Sequence, residues 1–379
     1  MRTILILTLL AACDYKPVYT TPDASIDYQG NPDAMSVTTR AVVVAGDFNP
    51  GHPGVLSALD VETQTMTSNV APAQSIGSDP IVRRIGSELF VVNRADGNNI
   101  TILDAQTFQL VEQLGTGASS NPQDVAAVDD KLFVAAFGTK GVLELTRGSG
   151  ATTEIDLSAD DPDGKPNCNS IHLASAKLYV ACELLDDTQQ FLPPRGNGKV
   201  YVVDPATHAI EHTITMATVN PFGVFEQLPA ESPYAGDLLI PTVSFADGSG
   251  CVERIATGAE PASGGCVIEN AALGGFANRV VPQLVPGAVL LRMAVPAPDF
   301  VHASMQTYDL TSHTLWTQTL TPESQVIGDL AACPTGELVV SDTNADGAGL
   351  RIYRGSQEQT VSAIPAGLIP WSSHGLVCY

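Results

Sequence analysis

The spacing of histidines, cysteines and carboxylates limits the chemistry open to this 379-residue chain. Its seven histidines, His52, His172, His208, His212, His302, His313 and His374, never fall into H-E-x-x-H or H-x-H. Neither of these two zinc-binding spacings is therefore present. No G-x-S-x-G is present, so the sequence carries no elbow for a nucleophilic serine. Asp342, Asn344 and Asp346, followed by Gly347, match the opening D-x-N-x-D-G of a calcium loop, where alternate oxygens and a glycine turn wrap the ion. Position nine is Leu350 and position twelve is Tyr353, so the bidentate glutamate that completes such a loop is missing. Calcium is a partial match at these three residues, and no other cofactor is expected. The run Asp160-Asp161-Pro162-Asp163 is a second oxygen-rich stretch that could attract a cation.

The cysteines point to a compartment. Met1 to Ala12 reads as a short secretory signal, with Arg2 ahead of an apolar run from Ile4 to Leu10. That run is far below the roughly 20 residues a membrane-spanning helix needs. Leu10-Ala11-Ala12-Cys13 resembles the bacterial lipobox, which makes Cys13 the expected lipid attachment site and residues 13–40 a Pro-, Thr- and Asp-rich tether. Of seven cysteines, lipidation of Cys13 leaves Cys168, Cys182, Cys251, Cys266, Cys333 and Cys378. No C-x-x-C-H or paired C-x-x-C suggests haem or zinc, so these six read as disulfides of an oxidising compartment. The expected location is the bacterial cell envelope, lipid-anchored and facing the periplasm or the exterior.

The charge balance narrows the partners. With 41 acidic and 18 basic residues the net charge is −23, which repels phosphate backbones and anionic headgroups. Nucleic acid is excluded as a partner, and contact with a membrane is expected through the lipid alone. Aromatic residues make up only 6% of the chain, too few for a long sugar-stacking groove.

The elements that must position any site come from a repeated phrase: an apolar strand, a polar turn, then a strand ending in Asp a few residues before Thr or Ser. The clearest copy runs from Glu88 to Thr107 (ELFVVNRADGNNITILDAQT), and further copies begin at Ala41, Lys131, Lys177, Asp237, Ala288 and Glu337. Repetition at this spacing is the signature of a radial β array. Each phrase supplies the middle strands b and c of a four-stranded blade, and the flanking segments supply a and d. Near-continuous apolar runs fit strands buried on both faces, while Gly, Asn, Asp and Pro mark the turns. The expectation is an all-β, seven-bladed propeller of antiparallel blades spanning residues 41–379.

FVVNRADGNNITILDAQTFQLVEQL, together with the strand-opening pairs Asp79-Pro80, Asn121-Pro122 and Asn220-Pro221, resembles the YVTN-type, YncE-like propellers of bacterial envelopes. The resemblance is good over residues 78–216 and weaker in blades five and six. It implies a fold shared by binding proteins, surface proteins and a few enzymes, so it carries little functional weight. Residues 368–379 look like a strand a without its own blade. They are expected to complete blade one, with residues 31–40 as the alternative. This topology favours Cys168 with Cys182, Cys251 with Cys266, and Cys333 with Cys378, the last locking the ring.

In such a ring the d–a and b–c loops share one face. The long connections fall mostly there: residues 183–199 and 157–167 around blade four, DFNPGHPG in blade one and VPAPDFVHAS in blade six. Loops on a rigid scaffold usually carry recognition. Lactonases on related rings place polar residues at the channel mouth, which implies His52, Arg94, Arg195, His302 and His374, with Trp371 beside the last, as candidates. Taken singly, each reads better as a solvated loop residue. His208, His212 and His313 belong to outer strands and turns. The expected function is a monomeric, non-catalytic binding or scaffolding module that recognises an envelope protein or a small ligand. A lactonase- or lyase-type enzyme at the channel mouth is the alternative.

Overall fold

The computed structural model describes residues 38–297, 302–316, 319–322 and 325–379. Cys13, the signal and all but the last three residues of the tether lie outside the described residues. Seven antiparallel four-stranded sheets are arranged as a β-propeller. Blade two shows the plan in chain order: strand a Pro80–Ile85, b Glu88–Asn93, c Asn99–Asp104 and d Leu110–Gly115. Strand b of blade one, Arg40–Ala45, shows why its apolar run is continuous. Val42 and Val44 pack toward blade two, while Ala41 and Val43 pack toward blade seven. With both faces buried there is no polar side to alternate with.

The Asp-to-Thr phrase has a mechanical reading. Asp104 Oδ1 accepts from the amides of Gln106 and Thr107 and from the Thr107 hydroxyl, and Asp204 does the same for Ala206 and Thr207. Asp60 and Asp309 close the equivalent turns onto Thr63 and Ser312. Each is an Asx turn joining c to d. The residue after it takes a positive φ: Gln64, Phe108, His208 and His313 lie between 54° and 60°.

The ring closes as expected. The C-terminal strand Leu376–Cys378 is strand a of blade one and pairs with Ala41–Val43. Cys333 and Cys378 are joined across the blade seven–blade one seam, with their Cα atoms 4.9 Å apart. Cys168–Cys182 links register partners in strands a and b of blade four, and Cys251–Cys266 spans the c–d hairpin of blade five.

One opening departs from expectation. Asn121-Pro122 and Asp79-Pro80 start their a strands at the proline, whereas in blade five the strand is reduced to Glu226–Gln227, beyond Asn220-Pro221. Pro241 in the neighbouring b strand lies against Gly223, and proline has no N–H for the ladder.

The centre of the ring is held by polar contacts that run from blade to blade. Val82 N donates to His374 O at 3.2 Å. Arg83 Nε donates to Asp124 Oδ1 at 2.7 Å, and Asp124 Oδ2 accepts from Ser170 Oγ and Ile171 N. Ser170 Oγ accepts from Phe225 N at 3.1 Å. Arg279 bonds Glu226 at 2.5 Å and Asp329 at 3.1 Å, and Asp329 Oδ2 accepts from Leu376 N at 2.9 Å. These bonds link blades one to seven and return to blade one. Every charged member is buried, so each needs its partner to offset desolvation. Burial pushes Asp329 up to about 7, against the pull of Arg279.

Candidate functional site

The loop-rich face is built from the d–a and b–c connections, and asparagines in the left-handed region knit them together. Asn121 and Asn167 have φ of 45° and 53°. Their side-chain oxygens accept the amides of Ala95 and Leu185 in the adjoining b–c loops. Asparagine tolerates this backbone and offers an oxygen to the neighbouring chain, which explains its place before strand a.

Blade four carries the largest elaboration. Arg195 is its hub: its Nη2 lies 2.9 Å from Asp163 and 2.7 Å from Asp186, and its Nε lies 3.7 Å from Asp161. Asp163 also accepts the amide of Asp187, and Asn167 donates to Asp187, so the two long loops are tied together. Lys165 lies 3.5 Å from Asp187. Beneath them Glu183 is buried, and burial holds its carboxyl well above the usual range, helped by the charge of Asp187. The bridge between Leu185 and Pro194 gives the loop a narrow neck.

The other predicted residues are distributed around the ring. His52 is exposed in the blade-one b–c loop, with Nδ1 2.8 Å from Asp47. Arg94 is not a solvated loop residue: it is buried, with Nη2 2.6 Å from Asp79, and burial raises the Asp79 carboxyl against that pairing. His374 is also buried, in the link leading to the closing strand, where its carbonyl accepts from Val82 N of blade two. His302 is exposed in the blade-six b–c loop, and Trp371 is about half exposed. His208 sits in its turn and bonds Glu144 of blade three at 2.6 Å. His52, Arg94 and Arg195 thus sit in loops of blades one, two and four, the first two of which are joined where Gly51 N donates to Asp96 Oδ2 at 2.7 Å.

The calcium-like phrase occupies the b–c turn of blade seven. Asp342 Oδ2 accepts from Arg351 Nε at 2.8 Å, and its Oδ1 accepts from the amides of Val326 and Asn344. Asn344 Oδ1 accepts from Asp346 N at 3.3 Å. The carboxylate of Asp342 is therefore already serving protein donors. Among the described residues, Cys251, Cys266 and Glu269 bring ligand-type atoms together, but both sulfurs are spent on the disulfide.

An aromatic cluster on this face escaped sequence reading. Phe245, in the blade-five b–c loop, stands edge-to-face on Phe222 with centroids 4.8 Å apart, and Phe276 completes the group at 5.9 Å from Phe245. Phe222 and Phe276 are buried, while Phe245 is 41% exposed. The loop under Phe245 is fixed by Ser244 N to Ser249 O at 2.7 Å and by the Asp247 carboxylate, which accepts from Ser249. Phe191, 57% exposed in the blade-four b–c loop, and Trp371 add further apolar surface to the same face. The only available sequence signal was a phenylalanine within a loop of small polar residues, SFADGSG.

Among the described residues no helix is long and apolar enough to cross a membrane. No protein-family model matches this chain, and no curated protein sequence matches it. Solved structures of similar fold are found. A "putative 6-phosphogluconolactonase" of Bacteroides fragilis is 12% identical with a TM-score of 0.62, covering 92% of this chain and 100% of that one. Its counterpart from Bacteroides uniformis is 11% identical with a TM-score of 0.58, covering 90% and 100%. A quinonprotein alcohol dehydrogenase-like protein of Bacteroides thetaiotaomicron is 13% identical with a TM-score of 0.55, covering 84% and 73%. At these identities the likeness is one of fold.

Proposed function

We propose that this protein is a non-catalytic binding or scaffolding propeller of the bacterial envelope, one that recognises its partner through the d–a/b–c face. One contrast carries the reading. The charged groups at the centre, Arg83, Asp124, Glu226, Arg279 and Asp329, are buried and paired between blades, while the exposed aromatics Phe191, Phe245 and Trp371 lie on the loop face. Ionic groups that hold a ring together are poorly placed to turn over a substrate, whereas rigid exposed aromatics are what interfaces use as anchors. Three disulfides fit an oxidising compartment, as the YVTN-type resemblance implies.

Anchoring through Cys13 would give this face a direction. Strand b of blade one starts at Arg40, whose Nη1 donates to the carbonyl of Gln106 in a c–d turn of blade two. The chain therefore enters on the a–b/c–d side. A lipid at Cys13 would then be joined to the ring on the side opposite the loop-rich face, leaving that face open to an envelope protein or small ligand.

The test uses the neck of the blade-four loop. Replacing residues 186–193 by Asn-Gly leaves Leu185 and Pro194 bridged. We expect intact protein to capture a partner from detergent-solubilised envelope and the trimmed variant to lose it. Capture unaffected by trimming would remove the face from consideration. Turnover of sugar lactones by the purified ring would replace the binding reading with the enzymatic one.

A further inference from the structure

We infer that the loop-rich face takes a basic polypeptide segment, with an apolar side chain seated on Phe245 and cationic side chains against the carboxylates of blade four. The inference rests on the binding reading above and names the partner's chemistry. Phe245 is an anchor prepared in advance: its loop is closed by its own hydrogen bonds, and its ring stands on two buried phenylalanines. An aromatic that is ordered before binding loses little entropy on contact.

The neighbouring blade supplies the charge. Asp160, Asp161, Asp163, Asp186 and Asp187 cluster in its two long loops against the two cations Lys165 and Arg195; Asp161 and Asp186 are buried beside Arg195, while Asp160 is exposed and Asp163 and Asp187 are half-buried at the rim. Blades four and five are tied at this level, because Asn169 donates to the carbonyls of Pro221 and Gly223 on either side of Phe222. Phe191 extends the apolar surface from the blade-four side. An acidic rim beside a rigid aromatic selects a segment that alternates cations with apolar side chains. The chain's net charge of −23 steers such a segment toward the protein from a distance.

The experiment uses labelled peptides on the soluble ring, followed by fluorescence anisotropy at low and physiological salt. A peptide of alternating lysine and leucine should bind, and its glutamate–leucine counterpart should not. A lysine–serine peptide of equal charge should bind at least about tenfold more weakly, the difference one buried apolar anchor makes. Phe245→Ala should weaken the lysine–leucine peptide by about tenfold with the melting temperature of the ring unchanged, and Phe191→Ala should weaken it less. Salt should raise the Kd. Equal binding of the two lysine peptides, or no response to Phe245→Ala, would mean diffuse attraction to an acidic surface and overturn the inference. A captured envelope partner that the lysine–leucine peptide fails to displace would overturn it as well, while leaving the proposed function standing.

Discussion

At the residue scale, Asp329 links the ring to pH. An unfolded aspartate loses its proton near 4, whereas burial keeps Asp329 protonated to about 7. The folded state therefore binds a proton that the unfolded state has released, and stability rises as pH falls from 8 toward 5. Glu183 and Asp79, both raised by burial, act in the same direction. Carboxylates held low by turn hydrogen bonds, such as Asp104 and Asp47, titrate below this window and do not confuse it. Asp329→Asn should flatten the slope in denaturant titrations between pH 5 and 8. It should also cost about 1–3 kcal/mol, because asparagine has one acceptor oxygen where the carboxyl group serves Arg279, Leu330 and Leu376. An unchanged slope would dissociate Asp329 from the pH response. The sequence marked Arg94 and His374 as candidates but could not tell that both are buried, because burial of a loop residue depends on which blade faces it. The belt residues left a fainter trace: charges inside apolar a strands, as in IVRRI and IGDLAA.

At the element scale, the blade was legible because its turn chemistry is local. An Asp that bonds the residue three ahead encodes the c–d turn within four positions, so Asp60, Asp104, Asp204 and Asp309 announce it directly. The short a strand of blade five was not legible, since its interruption depends on Pro241 across the sheet. Cys168–Cys182 follows from strand register, whereas the clasp between Cys333 and Cys378 crosses from one blade to the next and closes a loop with a sequence separation of 45. In the chain-entropy model such a loop contributes about 4 kcal/mol. Replacing both cysteines with serine should lower stability by roughly that amount. It should also speed unfolding in stopped-flow measurements, because no covalent link then ties the closing strand to blade seven. A loss well below this, with an unaltered unfolding rate, would show that the belt alone keeps the seam shut.

At the scale of the whole molecule, the ring's order in sequence and its order in space are separable. Blade one is assembled from both ends of the described chain. Arg40 N donates to Tyr379 O at 2.7 Å, and Tyr379 N donates to Arg40 O at 2.8 Å. The two ends are therefore adjacent antiparallel strands, the arrangement a two-residue turn joins in an ordinary hairpin. Inter-blade packing and the polar belt run through all seven junctions, and neither depends on where the chain starts. A permuted chain should then fold to the same ring, with Tyr379 joined to Arg40 through Asn-Gly and new ends opened between Thr188 and Gln189 beyond the Leu185–Pro194 neck. Its melting temperature should fall by only a few degrees, since one open terminus replaces another. Loss of cooperative unfolding would mean instead that blade one must be closed last, with the late arrival of residues 376–378 serving as the step that commits the other six blades to a ring.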